Sequence, residues 1–524
     1  MATNNKYDRQ LRLWGAKGQK AVGETTVILI RASAAGTETL KNLVLPGVGR
    51  IIVLDDVKSS QDGSDSNFFL SSTHNSKSRA QVAFELLQEL NPDVSGNFEH
   101  VNSLMAFDYE KLLSNTPNPL IVAADLEYPL MMRVSKIAGA KKIPLIVVHA
   151  YGLMGLVRIQ SPPIPVIDPK PDNATPDLRL VTPFKMLEEY CNAVDLEALD
   201  DKEHGHVPYP VILYQLAKKW KHSHDGKLPS TFQEKQEFRA TVKNAARNVD
   251  MEVNFIEAVD NSYLAYTERT VDVDYVKNLL EKSSGKFATL LHALLKFLVT
   301  HNGAAPLHGA LPDMTASTQA YVQLQTYYRE KAQHDVKELL SYCSNSPEVA
   351  EEDVQTFAQN VATLDLIQVR SLAQEFEHSP PADILEGLQS ATWDPYEIAD
   401  HTPLLWYCGL RACHHFYREK GRYPGTCGDN WQQDVALLQA CIIQIVKDLQ
   451  LDQSELIQQT LLGSDNKFAE ELTRYANAEI HTIASIIGGV ASQEAVKLIT
   501  GQYIPINNTY IFNGIASVGG VYEV

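Results

Sequence analysis

Cysteine is scarce in this chain. Six occur in 524 residues, at 191, 343, 408, 413, 427 and 441, with no CxxC pair and no regular spacing, so neither a disulfide-stapled scaffold nor a zinc ribbon is expected. Basic residues are also outnumbered: 46 Lys and Arg face 64 Asp and Glu, a net charge of −18. Gripping a phosphate backbone takes clustered cations and release of their counterions, so no nucleic acid is expected as a partner. Nowhere do eighteen apolar residues run together, and the opening MATNNKYDRQ lacks the apolar centre of a secretory leader. Neither a membrane span nor export is therefore expected, which places the chain in the cytoplasm or nucleus with its thiols reduced.

What is present suits a globular chain of several units. Hydrophobic residues make up 44% and charged residues 21%, ordinary values for folded domains, and single cores stop growing at roughly 250–300 residues. Four β-branched runs, TTVILI (25–30), RIIVLDD (50–56), PLIVAAD (119–125) and IPLIVVHA (143–150), alternate with helix-length amphipathic stretches. That is the pattern of a parallel sheet covered on both faces, a doubly wound α/β fold. SRAQVAFELLQEL (78–90) predicts a covering helix capped by Ser78, stopped by Pro92 and burying Val82, Leu86, Leu87 and Leu90. VKSSQDGSDS, between Asp56 and Asn67, predicts a surface loop.

The proline-rich SPPIPVIDPKPDNATPD (161–177) marks an exit from the sheet, because consecutive prolines block both helix and ladder. From about 178 to 470 long 3.6-residue periodicities dominate. The end returns to α/β character: 479–501 predicts one apolar helix, NNTYIFNG (507–514) a strand, and Asn513-Gly514 a two-residue hairpin turn into a last strand. The division expected is a sheet domain from 1–170, a helical insert over 171–470, and 471–524 completing the sheet domain.

ILIRASAAGTETLKNL (28–43) supplies the strand, turn and helix with which nucleotide folds cradle phosphate. Aligned on the strand, the glycine positions of GxGxxG fall on Arg31, Ser33 and Gly36. Only the third survives, the one that lets helix and strand pack; the two that form the tight turn and admit a phosphate are gone. Their loss counts against a free-standing nucleotide-dependent oxidoreductase. Arg31 either crowds the pocket mouth or offers its guanidinium to a phosphate, and Asp55 either binds a ribose or simply closes its strand. Cys408, Cys413, His414 and His415 lie on the apolar LLWYCGLRACHHFY, where core packing is expected in preference to a metal site. His204, His206, His222 and His224 fall in polar stretches and are expected to be solvated.

YDRQLRLWGAKGQKAV (7–22), KNLVLPGVGRIIVLDD (41–56), SNFFL (66–70), KSRA (77–80), LQELNP (87–92) and AYGLMGLVRI (150–159) resemble ubiquitin-like modifier activating enzymes. With LPDMTASTQAYVQLQTYYREKA (311–332), GRYPG (421–425) and the stretch from 481 to 514, the chain looks like the regulatory subunit of the neddylation activating enzyme, the amyloid-precursor-binding protein family. The partner subunit of the SUMO type is similar at both ends but lacks the long insert and the LPDM and GRYPG segments. The resemblance implies an inactive copy of a Rossmann-like adenylation fold with a large helical insertion, acting in a heterodimer. In that pair the catalytic subunit binds ATP and magnesium, adenylates the C-terminal glycine of the Nedd/Rub modifier and takes it onto its own cysteine. This chain is implied to bind no cofactor or metal itself.

Its departures from active members fit that role. DLEYP from Asp125 replaces an Asp-Asn pair with a following Arg, Asn67 is followed by Phe68, Phe69 and Leu70 where an Arg is lost, and Lys77 remains as a relic. No cysteine falls in a thioester motif. Tyr7, Arg9 and Gln10 match a Tyr-x-Arg-Gln motif whose Arg is implied to reach the triphosphate in the partner; Arg12 is the fallback, and an ion pair of Arg9 with Asp8 the plainer alternative. The resemblance also implies a contact with the catalytic subunit through Pro312, Asp313, Met314, Tyr321, Leu324 and Gln325, with Asp313 capping a helix that exposes Met314, Tyr321 and Leu324. The competing reading is an amphipathic helix buried on its own domain.

Overall fold

The computed structural model describes residues 6–58, 67–70, 77–170, 175–268, 270–344, 346–392, 401–428, 431–463 and 466–524. The four β-branched runs become β1 (Thr26–Ile30), β2 (Arg50–Asp55), β4 (Pro119–Ala124) and β5 (Leu145–Tyr151). β3 (Ser95–His100), mostly exposed at the sheet edge, had no apolar run to announce it. β1 pairs in parallel with β2 and β4, β2 with β3, and β4 with β5, after which β6 (Met154–Gln160) returns antiparallel. The chain leaves and re-enters this region by the short strands β7 (Ile164–Val166) and β8 (Asp365–Ile367). Near the C-terminus β9 (Thr509–Asn513) pairs with β6 and β10 (Val518–Tyr522) with β9, giving the order β10-β9-β6-β5-β4-β1-β2-β3.

Successive side chains of a strand point to opposite faces, and β1 shows why its run is apolar throughout. Val27 and Leu29 join a core with α2 (Ala34–Val44), α3 (Arg79–Leu90) and the C-terminal helix His481–Thr500. Ile28 and Ile30 join the opposite core, with α4 (Tyr109–Ser114) and α5 (Tyr128–Lys141). Ser78 caps α3 by accepting the Gln81 amide, as its position predicts. The buried stripe of α3 differs from the expected one: Ala80, Ala83 and Leu87 turn inward with Val82, Leu86 is half-buried, and Leu90 is exposed where the last turn runs off the sheet. The helix His481–Thr500 is long and apolar enough to cross a membrane by length and composition, yet Ile483, Ala484, Ile487, Ala491 and Ala495 are spent on the sheet core. A Cβ on its Gly488 would come within 2.8 Å of Glu38 Cβ, so glycine sets its close approach to α2.

Compact units divide the chain as 1–164 with 367–524, and 165–366. The helical insert therefore ends at 366 and not at 470. Helices Pro403–Lys420, Trp431–Asp448 and Lys467–Tyr475 bury Leu404, Trp406, Ile442 and Leu472 in a core shared with Tyr151, Met154 and Ile511 of the sheet. Periodicity reports that a segment is helical, and is silent on which core receives its apolar face. The hairpin differs too: Asn513 pairs with Val518 across a four-residue turn, its Oδ1 accepting the Ile515 amide, and the left-handed residue is Ser517. The loop expected between Asp56 and Asn67 falls largely on 59–66, outside the described residues.

In the 165–366 unit, the helix Thr318–Tyr342 runs through two cores. Leu324 and Tyr328 belong to one, with Leu187, Ile212 and Phe255; Val336 and Leu339 belong to the other, with Leu291, Phe297 and Phe357.

Candidate functional site

The turn between β1 and α2 is where a nucleotide fold would hold phosphate. Arg31 occupies it with φ of 71°, a left-handed conformation that glycine takes without strain and that other residues take at a cost of about 1–2 kcal/mol. Its guanidinium folds back into the pocket, Nη1 donating to the Asp125 carbonyl (2.7 Å) and Glu127 Oε1 (2.9 Å), Nη2 to Glu127 Oε2 (2.8 Å). Burial alone would lower the pKa of this guanidinium, but the bonds and charge of Glu127 outweigh it and raise the value. Arg31 thus crowds the site, and its donors on that face are engaged by Glu127, the residue that DLEYP supplies.

The backbone donors of the turn are engaged as well. The Ala32 amide donates to Asp55 Oδ2 (2.7 Å), the Ala34 amide to Glu479 Oε2 (2.6 Å), and the Gly36 amide to Ser33 Oγ (3.2 Å), which caps α2. A helix N-terminus attracts anions through its free N–H groups and dipole; here protein carboxylates occupy that position. Gly36 keeps its packing task, since a Cβ there would lie 2.7 Å from Leu29 Cδ1 and 2.8 Å from Ala124 Cβ.

Asp55 is fully buried, accepting from the amides of Ala32 and Val57 and from Arg79 Nε (2.8 Å), so it braces the loop. Asn67 is a second brace: Nδ2 donates to the Ala32 carbonyl while Oδ1 accepts from Thr37 and the Phe69 amide. Asp125 accepts from Ser33 Oγ and the Ala150 amide and is 5% exposed. Lys77 is paired with Glu85.

Glu479 escaped sequence reasoning, since nothing local marks it. Burial first, and then the charge of Asp125, push its carboxyl pKa up; burial does the same to Asp125, and the two lie in hydrogen-bonding reach. Two buried carboxyls in contact cannot both ionise cheaply, so they share a proton. Beside them His149 Nε2 meets Asn477 Oδ1 at 2.9 Å and is kept neutral by burial.

Arg9 lies exposed on α1 (Asp8–Glu24) and makes no ion pair among the described residues; Asp8 pairs with Arg12 instead, at 2.9 Å. The alternative pairing of Arg9 with Asp8 is therefore absent. Tyr7 is held by Asn91, whose Nδ2 donates to its hydroxyl at 3.0 Å, and Gln10 is half-buried.

The 312–325 segment departs from expectation. Ser317, not Asp313, caps the helix, accepting the Ala320 amide, while Asp313 accepts from the amide of Met314. Leu324 is fully buried and Met314 packs half-buried on the same core, so neither is a free surface anchor. The helix phase explains this: Leu324 and Tyr328, four residues apart, face inward together. Asp313 is exposed, and Pro312, Tyr321 and Gln325 are half-exposed. Thr315 anchors the segment, its amide and hydroxyl donating to Glu257.

Cys408, Cys413 and His414 are core residues as expected, with burial pushing the Cys408 thiol up to about 12 and His414 down to about 3. His204 is not solvated: it is buried, stacked on Phe255 and bonded to Glu252 at 2.5 Å.

The model of the ThiF family matches residues 7–518. The chain is 35% identical to the NEDD8-activating enzyme E1 regulatory subunit of Gallus gallus over 546 aligned residues, covering 99% of this chain and 98% of that one. It is 33% identical to the NEDD8-activating enzyme E1 regulatory subunit AXR1 of Arabidopsis thaliana, covering 97% and 94%. Among solved structures, E. coli MccB aligns at 18% identity over 30% of this chain and 45% of its own, with a TM-score of 0.27.

Proposed function

The chain belongs to the ThiF family and, within it, to the NEDD8-activating enzyme E1 regulatory subunits, and on that footing we propose that it is the nucleotide-free half of the activating heterodimer. It pairs with the catalytic subunit in the cytoplasm or nucleus and supports ATP-dependent adenylation of the modifier's C-terminal glycine and thioester formation on the partner's cysteine. ATP and magnesium are held by the partner; this chain holds neither. The observation that carries the reading is the engagement of the amides of Ala32, Ala34 and Gly36 by Asp55, Glu479 and Ser33, with Arg31 tied to Glu127 in the same pocket. A triphosphate entering there has to displace the buried carboxyl groups of Asp55 and Glu479 from the donors they hold.

Arg9 is the group this chain offers to the reaction. Adenylation builds charge on the departing pyrophosphate, and an exposed guanidinium without an ion-pair partner among the described residues is free to meet it across the dimer. Docking draws on the sheet unit and on the exposed parts of Pro312–Gln325. The test is modifier-dependent exchange of pyrophosphate into ATP: the isolated chain is expected to show none and the reconstituted heterodimer to show it. Exchange by the chain alone would overturn the assignment.

A further inference from the structure

The helix Pro403–Lys420 buries Cys408, Cys413 and His414, and carries His415 and Glu419 one turn apart on another side. The helix Trp431–Asp448 packs against it and brings up Cys441. One ligand atom from each of His415, Glu419 and Cys441 lies within 4.8 Å of the other two. His415 Nε2 is 3.7 Å from Glu419 Oε1. Cys441 is buried, His415 half-buried and Glu419 exposed, so the cluster opens to solvent on one side.

One further feature separates this cluster from a surface ion pair: His415 Nδ1 is buried and has no hydrogen-bond partner among the described residues, an expensive state for a ring nitrogen.

We propose that His415, Glu419 and Cys441 form a zinc site that fastens these two helices to each other. Thiolate, imidazole and carboxylate suit zinc, whereas magnesium and calcium take oxygen ligands. Bonds of about 2.0–2.3 Å place the ligands of one zinc ion roughly 3.5 Å apart, close to the 3.7 Å between His415 and Glu419 and within a side-chain adjustment of the 4.8 Å bound on the cluster. On binding, the Cys441 thiol releases its proton to solvent and the thiolate takes the metal. Water completes a tetrahedral set.

The test uses the full-length chain stripped of metal with a chelator and titrated with zinc alone against a chromophoric competitor, then with cobalt alone. One equivalent of each is expected to bind, with a thiolate-to-cobalt charge-transfer absorption in the near ultraviolet, and zinc is expected to raise the melting temperature. Cys441→Ser should abolish the absorption and weaken zinc binding by at least about tenfold, and His415→Ala should weaken it similarly. Cys427→Ser, at the half-buried thiol outside the cluster, should change neither. Should Cys441→Ser fail to fold, Glu419→Gln at the exposed position gives the same decision through weakened binding. Absence of stoichiometric uptake, uptake that survives Cys441→Ser, or uptake lost with Cys427→Ser would each overturn the site.

Discussion

Replacing Glu479 with Gln isolates the electrostatics of the closed phosphate loop. Gln has the shape of a protonated Glu: its Oε1 can accept the Ala34 amide as Glu479 does, and its NH2 can donate to Asp125. What it cannot do is ionise. The unfolded chain's Glu479 loses its proton near 4.5, whereas the folded state holds the proton more tightly because of burial and Asp125. A carboxyl whose folded pKa is raised contributes its full stability on the acid side and loses it as pH climbs past the unfolded value toward the folded one. Each tenfold in proton affinity is about 1.4 kcal/mol, so a carboxyl pushed up from 4.5 to about 8 costs the wild type about 5 kcal/mol once both states are deprotonated. At 2–4 °C per kcal/mol for sizeable domains, that is roughly 10–20 °C.

Melting temperatures measured from about pH 4 to about pH 8.5 should therefore coincide for wild type and Glu479→Gln at the acid end and diverge toward the alkaline end, the variant being the more stable. Parallel profiles would refute the shared proton. A variant less stable at every pH would show that Ala34 needs a charged acceptor.

Arg9→Ala in the reconstituted heterodimer should slow adenylation by at least tenfold, about 1.4 kcal/mol of barrier, while the melting temperature stays constant; normal turnover would reduce this subunit to a scaffold. Leu324→Ala should cost about 2–5 kcal/mol in urea denaturation of the chain, as for other fully buried leucines, and a change under 1 kcal/mol would contradict its place in the core. Tyr321→Asp, at a half-exposed position, should leave the subunit folded and weaken co-elution with the catalytic subunit; unchanged co-elution would remove Tyr321 from the interface.

The local record in the sequence was strong where burial is two-sided. β1, β2, β4 and β5 were readable because strands covered on both faces must be apolar at every position, and Ser78 was readable as a cap because the interaction closes within three residues. Gly36 was assigned its packing task from the strand-turn-helix pattern around it, in which Leu29 and Arg31 are local, although Ala124 on β4 presses on the same position. The departures at Arg31 and Ser33 sufficed to question nucleotide binding, though not to choose between a guanidinium that grips phosphate and one that blocks it. That choice needed Glu127, 96 residues away, whose carboxylate accepts the Arg31 side chain.

Helix phase set another limit. Periodicity gave a helix after Pro312, but whether Leu324 faced a partner or its own core depended on Leu187 and Phe255 lying against it. The same blindness placed the end of the insert at 470, since the apolar faces of the later helices match the sheet's core as well as any other. The furthest case is Glu479. Its carboxylate meets the Ala34 amide across 445 residues, because β9 closes beside β6 and the C-terminal helix packs on α2. A sequence fixes which segments are strands and helices through contacts of a few residues; which carboxylate fills a phosphate's place is decided by tertiary packing, where distance along the chain carries no information.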